Sequence, residues 1–319
     1  TFKKSEGLSR KQKREIMKDK DFLKELLKII KKYFPQLTSI FSSLTDKRHK
    51  SYITYKMRTI IMTRLLALLC GITTMTEINN EFNSANLSKI CNQNLKEIPD
   101  WQTIQDVIEQ LDYNEIDNIR KYMFKALLRS KMFDKFRYDG YIQLIVDATG
   151  LTALDYNLNG NCLTRTRDGK IKYYKYVLEV KVVFFNMVIS IDSEWIENTN
   201  SNTEKEKQDC EVKAFKRMAP RIKNNYPKLK FIITGDALYA TDPMMNICEN
   251  YNWKYIFNLK PDRLKEVASQ FEGNIKLENE TNLSNYYLST NIYHKKHCLN
   301  AIKYEELQNN KLVSFRYVT

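Results

Sequence analysis

The run Gln143-Leu144-Ile145-Val146-Asp147-Ala148-Thr149-Gly150 decides the fold. A short apolar stretch closed by an acidic residue and a turn signal reads as a buried strand. The strand is expected to end at Asp147, with Thr149-Gly150 starting a turn. On either side of it the texture of the sequence differs. Downstream, residues 172–185 alternate, with Tyr174, Tyr176, Leu178, Val180, Val182 and Phe184 on one face, and Asp168-Gly169 before them reads as a tight hairpin turn. Val188-Ile189-Ser190-Ile191 is a third strand. A helix follows over 203–224, with Cys210, Ala214, Met218 and Ile222 on one side. Phe231-Ile232-Ile233 is then a strand closed by Gly235-Asp236, Asp242-Pro243 opens a helix with Asp242 as its cap, and Trp253 to Leu259 is a strand. Residues 275–319 read as further strands with polar turns. Three strands, helix, strand, helix, strand is an α/β order with an antiparallel start.

Upstream the pattern is helical. Phe22, Leu23, Leu26, Leu27, Ile30 and Phe34 form one stripe of a helix over 8–34 that Pro35 ends. Met62, Leu65, Leu66 and Leu69 recur at helical spacing within 52–69. A short helix capped by Thr74 or Thr76 ends near Phe82, another follows Pro99-Asp100, and a longer one spans 114–130. The chain thus divides into a helical, basic region at 1–135, an α/β core at 136–262 and a β-rich stretch from 263 to 319. The front is built from short units resembling a helix-turn-helix assembly.

Composition narrows the chemistry. The 319 residues are 43% hydrophobic, enough for a core, and carry a net charge of +14, of which residues 1–140 hold +10. A front-loaded positive field favours polyanions, nucleic acid above all, over a merely lysine-rich solvated surface. Eight glycines leave little room for glycine-rich phosphate loops. Six cysteines, at 70, 91, 162, 210, 248 and 298, are spaced too widely for a zinc knuckle or a redox pair. No apolar run reaches the ~20 residues of a membrane span. The first 25 residues lack the apolar stretch of a signal peptide, although the chain opens on Thr1 and a lost leader stays open.

Asp147 and Asp236 each stand at the carboxyl end of an apolar strand, the edge where open α/β sheets bind ligands. If those strands are parallel neighbours, the two carboxylates converge across 89 sequence positions. Their mutual repulsion is costly unless a cation sits between them, and Mg²⁺, a hard oxygen-seeking ion, suits the place. The alternative is that each aspartate caps a following turn; Thr149-Gly150 favours that reading for Asp147, and a capping Asp242 weakens it for Asp236. An actin-like ATPase loop also begins with Asp, but that fold needs further glycine loops.

Ile145-Val146-Asp147-Ala148-Thr149-Gly150, the segment Lys207-Gln208-Asp209-Cys210-Glu211, and Gly235-Asp236-Ala237-Leu238-Tyr239-Ala240 together resemble bacterial DDE transposases of the insertion-sequence-4-like group. The resemblance covers most of the chain. It implies a helical front, a ribonuclease-H-like mixed sheet with flanking helices and a β-rich insertion. It also implies cleavage of double-stranded DNA and strand transfer with Mg²⁺ (or Mn²⁺), catalytic and metal-holding roles for Asp147 and Asp236, a possible homodimer, and a bacterial cytoplasmic, nucleoid-associated protein acting on element ends and target. The family's third acid is a Glu in a Tyr, Arg, Glu, Lys context that does not occur between 237 and 319. It is expected beyond Thr319, which would leave this chain an incomplete metal site; Glu249, Glu305 and Glu306 do not take its place. A catalytically inert DNA-binding relative and a nuclease without strand transfer are the competing functions.

Arg165, Arg167, Lys170, Lys172 and Lys175 interleave with Tyr173, Tyr174 and Tyr176 and form the candidate DNA-tracking hairpin, against a solvated hairpin whose tyrosines pack on the core. His294-Lys295-Lys296-His297-Cys298 offers three zinc-type ligands with no fourth. His49 belongs to a basic loop, and the three histidines offer no base beside a nucleophile motif.

Overall fold

The computed structural model describes residues 22–72, 91, 93–167, 169–184, 187–198, 209–278, 285–308 and 311–319, in two units that divide after Met132. The helix read near 74–82, the start of the one read from residue 8, the start of the one read from 203, and Asp168 lie outside the described residues.

The front unit contains α1 (Phe22–Tyr33), α2 (Leu37–Ser43), a 3-10 turn at Lys50–Tyr52, α3 (Met57–Leu69), α4 (Trp101–Glu109) and α5 (Tyr113–Arg129). Ile30, Leu37, Phe41, Met57, Ile60, Met62, Leu66, Ile104 and Val107 are buried together. The helix read over 52–69 begins only at Met57. Ile53 and Lys56 are extended, and the Gln93 side chain pins the stretch by accepting from Lys56 N (3.4 Å) and donating to the Thr54 carbonyl (3.2 Å). The sequence reading missed α2, because it buries only Leu37 and Phe41 and is otherwise Ser- and Thr-rich, residues that favour caps over helix interiors. Aspartates start the last two helices. Asp100 Oδ1 accepts from Gln102 N (2.8 Å) and Thr103 N (3.0 Å), and Asp112 Oδ1 from Asn114 N (2.7 Å).

The back unit is a mixed α/β body around one sheet. Its strands, among the described residues, are β1 (Tyr141–Leu154), β2 (Leu163–Arg167), β3 (Lys170–Phe184), β4 (Met187–Ile196), β5 (Lys230–Gly235), β6 (Lys254–Asn258), β7 (Tyr286–His294), β8 (His297–Gln308) and β9 (Lys311–Val318). The order is β2-β3-β1-β5-β6-β9-β8-β7, with β4 on β3. β1, β5 and β6 are mutually parallel; the other pairings are antiparallel. Helix α6 (Glu211–Asn225) joins β4 to β5 and packs on β3 and β4, and α7 (Asp242–Asn250) joins β5 to β6. Helix α8 (Lys265–Glu278) packs on β7. Burial explains these elements directly. Ile142, Leu144 and Val146 alternate inward on β1, and Ala214, Phe215, Met218, Ala219 and Ile222 form the inward stripe of α6.

Four sequence expectations change. β1 does not stop at Asp147 but runs seven residues further, because β3 supplies an antiparallel partner out to Tyr173, with a bulge at Leu151, so Thr149-Gly150 is strand rather than turn. β2 is an extra strand, the other arm of the hairpin at Gly169. α8 occupies the start of the stretch read as β-rich, with Val267, Ala268, Phe271 and Ile275 buried at helical spacing. Finally, Thr241, not Asp242, is the residue before α7; Asp242 sits in the first turn. Among the described residues no helix is long and apolar enough to cross a membrane.

Candidate functional site

The parallel pairing of β1 with β5 sets Leu144 against Ile233 and Ile145 against Thr234. Asp147 stands two residues beyond Ile145 on β1, and Asp236 two beyond Thr234, just past the end of β5, so both reach the same rim from strands ~4.8 Å apart. Alternation along β1 puts Asp147 on the face of Ile145. The Thr234 hydroxyl donates to the Leu144 carbonyl at 3.0 Å, tying the two strands together just below the pair. Both aspartates are exposed, and neither forms an ion pair among the described residues. Asp236 also closes its own turn, Oδ1 accepting from Leu238 N at 2.7 Å, so the capping role weighed against it is real and occupies one oxygen.

The row extends to both sides. β3 sets Glu179 directly opposite Asp147, and the β5–β6 register, which pairs Gly235 with Phe257, brings Asn258 level with Asp236. Glu179 is held by Lys181 Nζ at 2.7 Å. Sequence reasoning overlooked Glu179 because it stands on the polar side of an alternating strand, where a charge ordinarily means only solvent. The register to β1, invisible in the sequence, gives it its place.

A fourth carboxylate faces the pair from α6. Glu211, in the first helical turn, accepts a hydrogen bond from the Tyr239 hydroxyl. Burial pushes the Glu211 carboxyl above its ordinary range, and the charges of Asp236 and Asp147 push it the same way against the opposing hydrogen bond from Tyr239. The Tyr239 hydroxyl is raised as well, first by burial, then by Glu211 and by the two aspartates. Tyr239 reaches this position because residue 235 is glycine. A Cβ there would lie 2.6 Å from Tyr239 Cδ2, an overlap with ring and backbone both fixed.

Among the described residues no group of three or more His, Cys, Asp or Glu side chains could hold a metal ion. What fits a hard cation is the pair itself: two exposed carboxylates side by side, leaving positions open to water and phosphate.

The hairpin cations do not converge on the aspartates as a set. The Arg165 guanidinium stacks on the rings of Tyr174 (5.4 Å) and Tyr176 (5.6 Å), Lys172 pairs with Asp155, and Lys175 bonds Asn161 and lies 3.7 Å from Glu197. Lys170 is exposed at the hairpin end, where Arg167 is its cross-strand neighbour. Lys172 and Lys175 are therefore partly neutralised within the fold.

The histidine-rich turn also separates. His294 Nδ1 lies 3.7 Å from Glu266, and Cys298 is exposed. His297 is buried and bridges two carboxylates on α7, its Nδ1 2.7 Å from Glu249 and its Nε2 2.9 Å from Asp242. A ring can donate to both only as imidazolium. The hydrogen bond from His297 is the main cause holding the Asp242 carboxyl below its ordinary range. Glu249 is thereby occupied, and Glu305 and Glu306 lie in β8, paired with Lys303 and Tyr304.

Residues 38–123, within the front unit, match the family model DDE_Tnp_1-associated. Among curated proteins no match is found. Among solved structures the chain is similar to the Mos1 transposase paired-end complex with left transposon end, at 11% identity over 78% of this chain and 77% of that one, with a TM-score of 0.22.

Proposed function

We propose that the protein is a DDE-type transposase of the insertion-sequence kind, with a ribonuclease-H-like core, that cleaves double-stranded DNA and joins the freed end to target DNA. The observation that carries the reading is the parallel β1–β5 register, which makes Asp147 and Asp236 neighbours on one rim although they are far apart in sequence. The front match to the DDE-associated model and the chain's basic charge support it.

In this mechanism Asp147 and Asp236 would hold Mg²⁺, or Mn²⁺ in its place. Bound there, the ion supplies Lewis-acid activation of the attacking oxygen and neutralises charge building on the phosphate. The chain's own part is positional. The strand pairing fixes the two carboxylates, the Thr234 hydroxyl ties their strands, and Tyr239 keeps Glu211 turned toward itself. A third acidic ligand from outside the described residues would complete the triad of the reading. The test is labelled DNA incubated with Mg²⁺ and the full-length protein, third acidic residue included. Asp147→Ala and Asp236→Ala are expected to abolish nicking and joining while DNA binding persists. Cleavage that survives either substitution overturns the proposal. The second reading, a DNA-binding relative that cuts nothing, is favoured by the absence of a third closing ligand among the described residues; it predicts binding without any metal-dependent product.

A further inference from the structure

Beyond Asp236 along the same rim lies a cavity of about 190 Å³, between the segment following β6, the start of α8, and β9. Leu259, Pro261, Ala268 and Phe271 make an apolar floor, and Lys260, Lys265 and Arg316 stand around it with Glu272. Glu272 is already taken, its Oε1 2.8 Å from Arg316 Nε. Lys260 and Lys265 are exposed and form no ion pair among the described residues. Two other cations of this unit, Arg217 and Arg221 of α6, are by contrast internally matched, pairing with Asp209, Asp192 and Glu194. The cavity volume is small beside the ~300–1,000 Å³ of pockets that swallow a whole small-molecule ligand. It suits one anionic group with a little apolar surface attached.

Position says which anion. The β5–β6 register brings Asn258 level with Asp236, so Lys260 lies one strand across and two residues on, roughly 8 Å away along the rim. That is about one phosphate-to-phosphate step along a strand, since the backbone path between neighbouring phosphates is roughly twice the ~3.4 Å axial rise. We infer that this cavity is a phosphodiester subsite, in which Lys260 and Lys265 hold the DNA backbone about one nucleotide from the phosphate seated at Asp147 and Asp236. The apolar floor lies against the sugar. The inference rests on the proposed function and deepens it, since it fixes the direction in which the strand leaves the carboxylates.

The test is fluorescence anisotropy of a labelled duplex with the full chain in EDTA, over roughly 50–200 mM salt. Lys260→Gln with Lys265→Gln is expected to lower the magnitude of the slope of log K against log salt by about 2, near 0.9 for each phosphate no longer neutralised. Lys228→Gln, an exposed lysine at the opposite end of β5, is expected to leave it unchanged. Ser269→Trp fills the cavity without changing charge and is expected to weaken binding on the order of tenfold. An unaltered slope in the double variant, an equal loss in Lys228→Gln, or unaltered binding by Ser269→Trp overturns the subsite and leaves the proposed function standing. Cleavage retained by Asp147→Ala would instead overturn that function while the slope change remained. A wild-type chain that binds no DNA overturns both.

Discussion

Two carboxylate pairs in the back unit meet opposite fates. Asp242 and Glu249 share one buried imidazole and are closed, each bonded to a ring nitrogen that the chain itself supplies. Asp147 and Asp236 stand side by side on neighbouring strands, exposed, with no ion pair among the described residues. The closed pair fastens α7 to β8 and is explained by stability alone. Apart from the turn that one oxygen of Asp236 closes, the open pair adds nothing to packing and sets like charges on one rim, which is how a group kept for a ligand differs from one kept for the fold.

The largest effect separates the pairs by activity. Asp147→Asn or Asp236→Asn is expected to cut cleavage by on the order of 10²–10³ or more, the cost of losing charge stabilisation at the reacting centre. In EDTA the melting temperature of either variant should not fall, because a repulsion is removed. A clear loss of stability would make the open pair structural after all. His297→Ala should do the reverse. It removes two hydrogen bonds to charged groups and is expected to cost about 2–3 kcal/mol in urea unfolding. Little change there would mean the closed pair is not a fastening.

Gly235→Ala probes the support of the open pair. Its new Cβ displaces the Tyr239 ring, at an expected cost of about 1–2 kcal/mol, and it should lower cleavage more than Leu238→Ala, which alters an exposed neighbour. Equal effects would detach Tyr239 from the site. The smallest effect lies in the front unit, where Asp100→Ala removes the cap of α4 at about 1 kcal/mol. The hydrogen bond from Thr103 N is the main cause holding the Asp100 carboxyl below its ordinary value, so its stabilisation is present above about pH 3.9. It fades as pH falls through the lower, folded value. Asp242 titrates in the same direction, so both units should weaken in acid; a front unit that loses no stability below pH ~3 would refute the Asp100 account.

The strands that carry Asp147 and Asp236 were legible because each is an unbroken apolar run, and the offset between the two residues could be stated before any strand was paired. The continuation of β1 was not, because Ala148-Thr149-Gly150-Leu151 has weak strand character by itself and is kept extended by β3. Glu179 and Asn258 were hidden for the same reason: register is a property of pairs of strands, and a single strand does not contain it. α8 was missed because Ser, Gly and Asn dilute its apolar spacing. Lys172 and Lys175 were legible as charges, but their partners Asp155, Asn161 and Glu197, up to 22 positions away, were not. The site was thus readable as two residues, and unreadable as a surface.

β1 and β3 run on together past Asp147 for seven residues, about 23 Å at ~3.3 Å each, whereas β5 stops at Gly235 and β6 at Asn258. On the far side β9, paired with β8, likewise passes beyond Asn258 from Arg316 back to Lys311. The rim is therefore a notch over the two short strands, with a ribbon standing on each flank. A long, stiff visitor has to cross the sheet edge between the ribbons, a direction written into unequal strand length before any side chain has touched the guest.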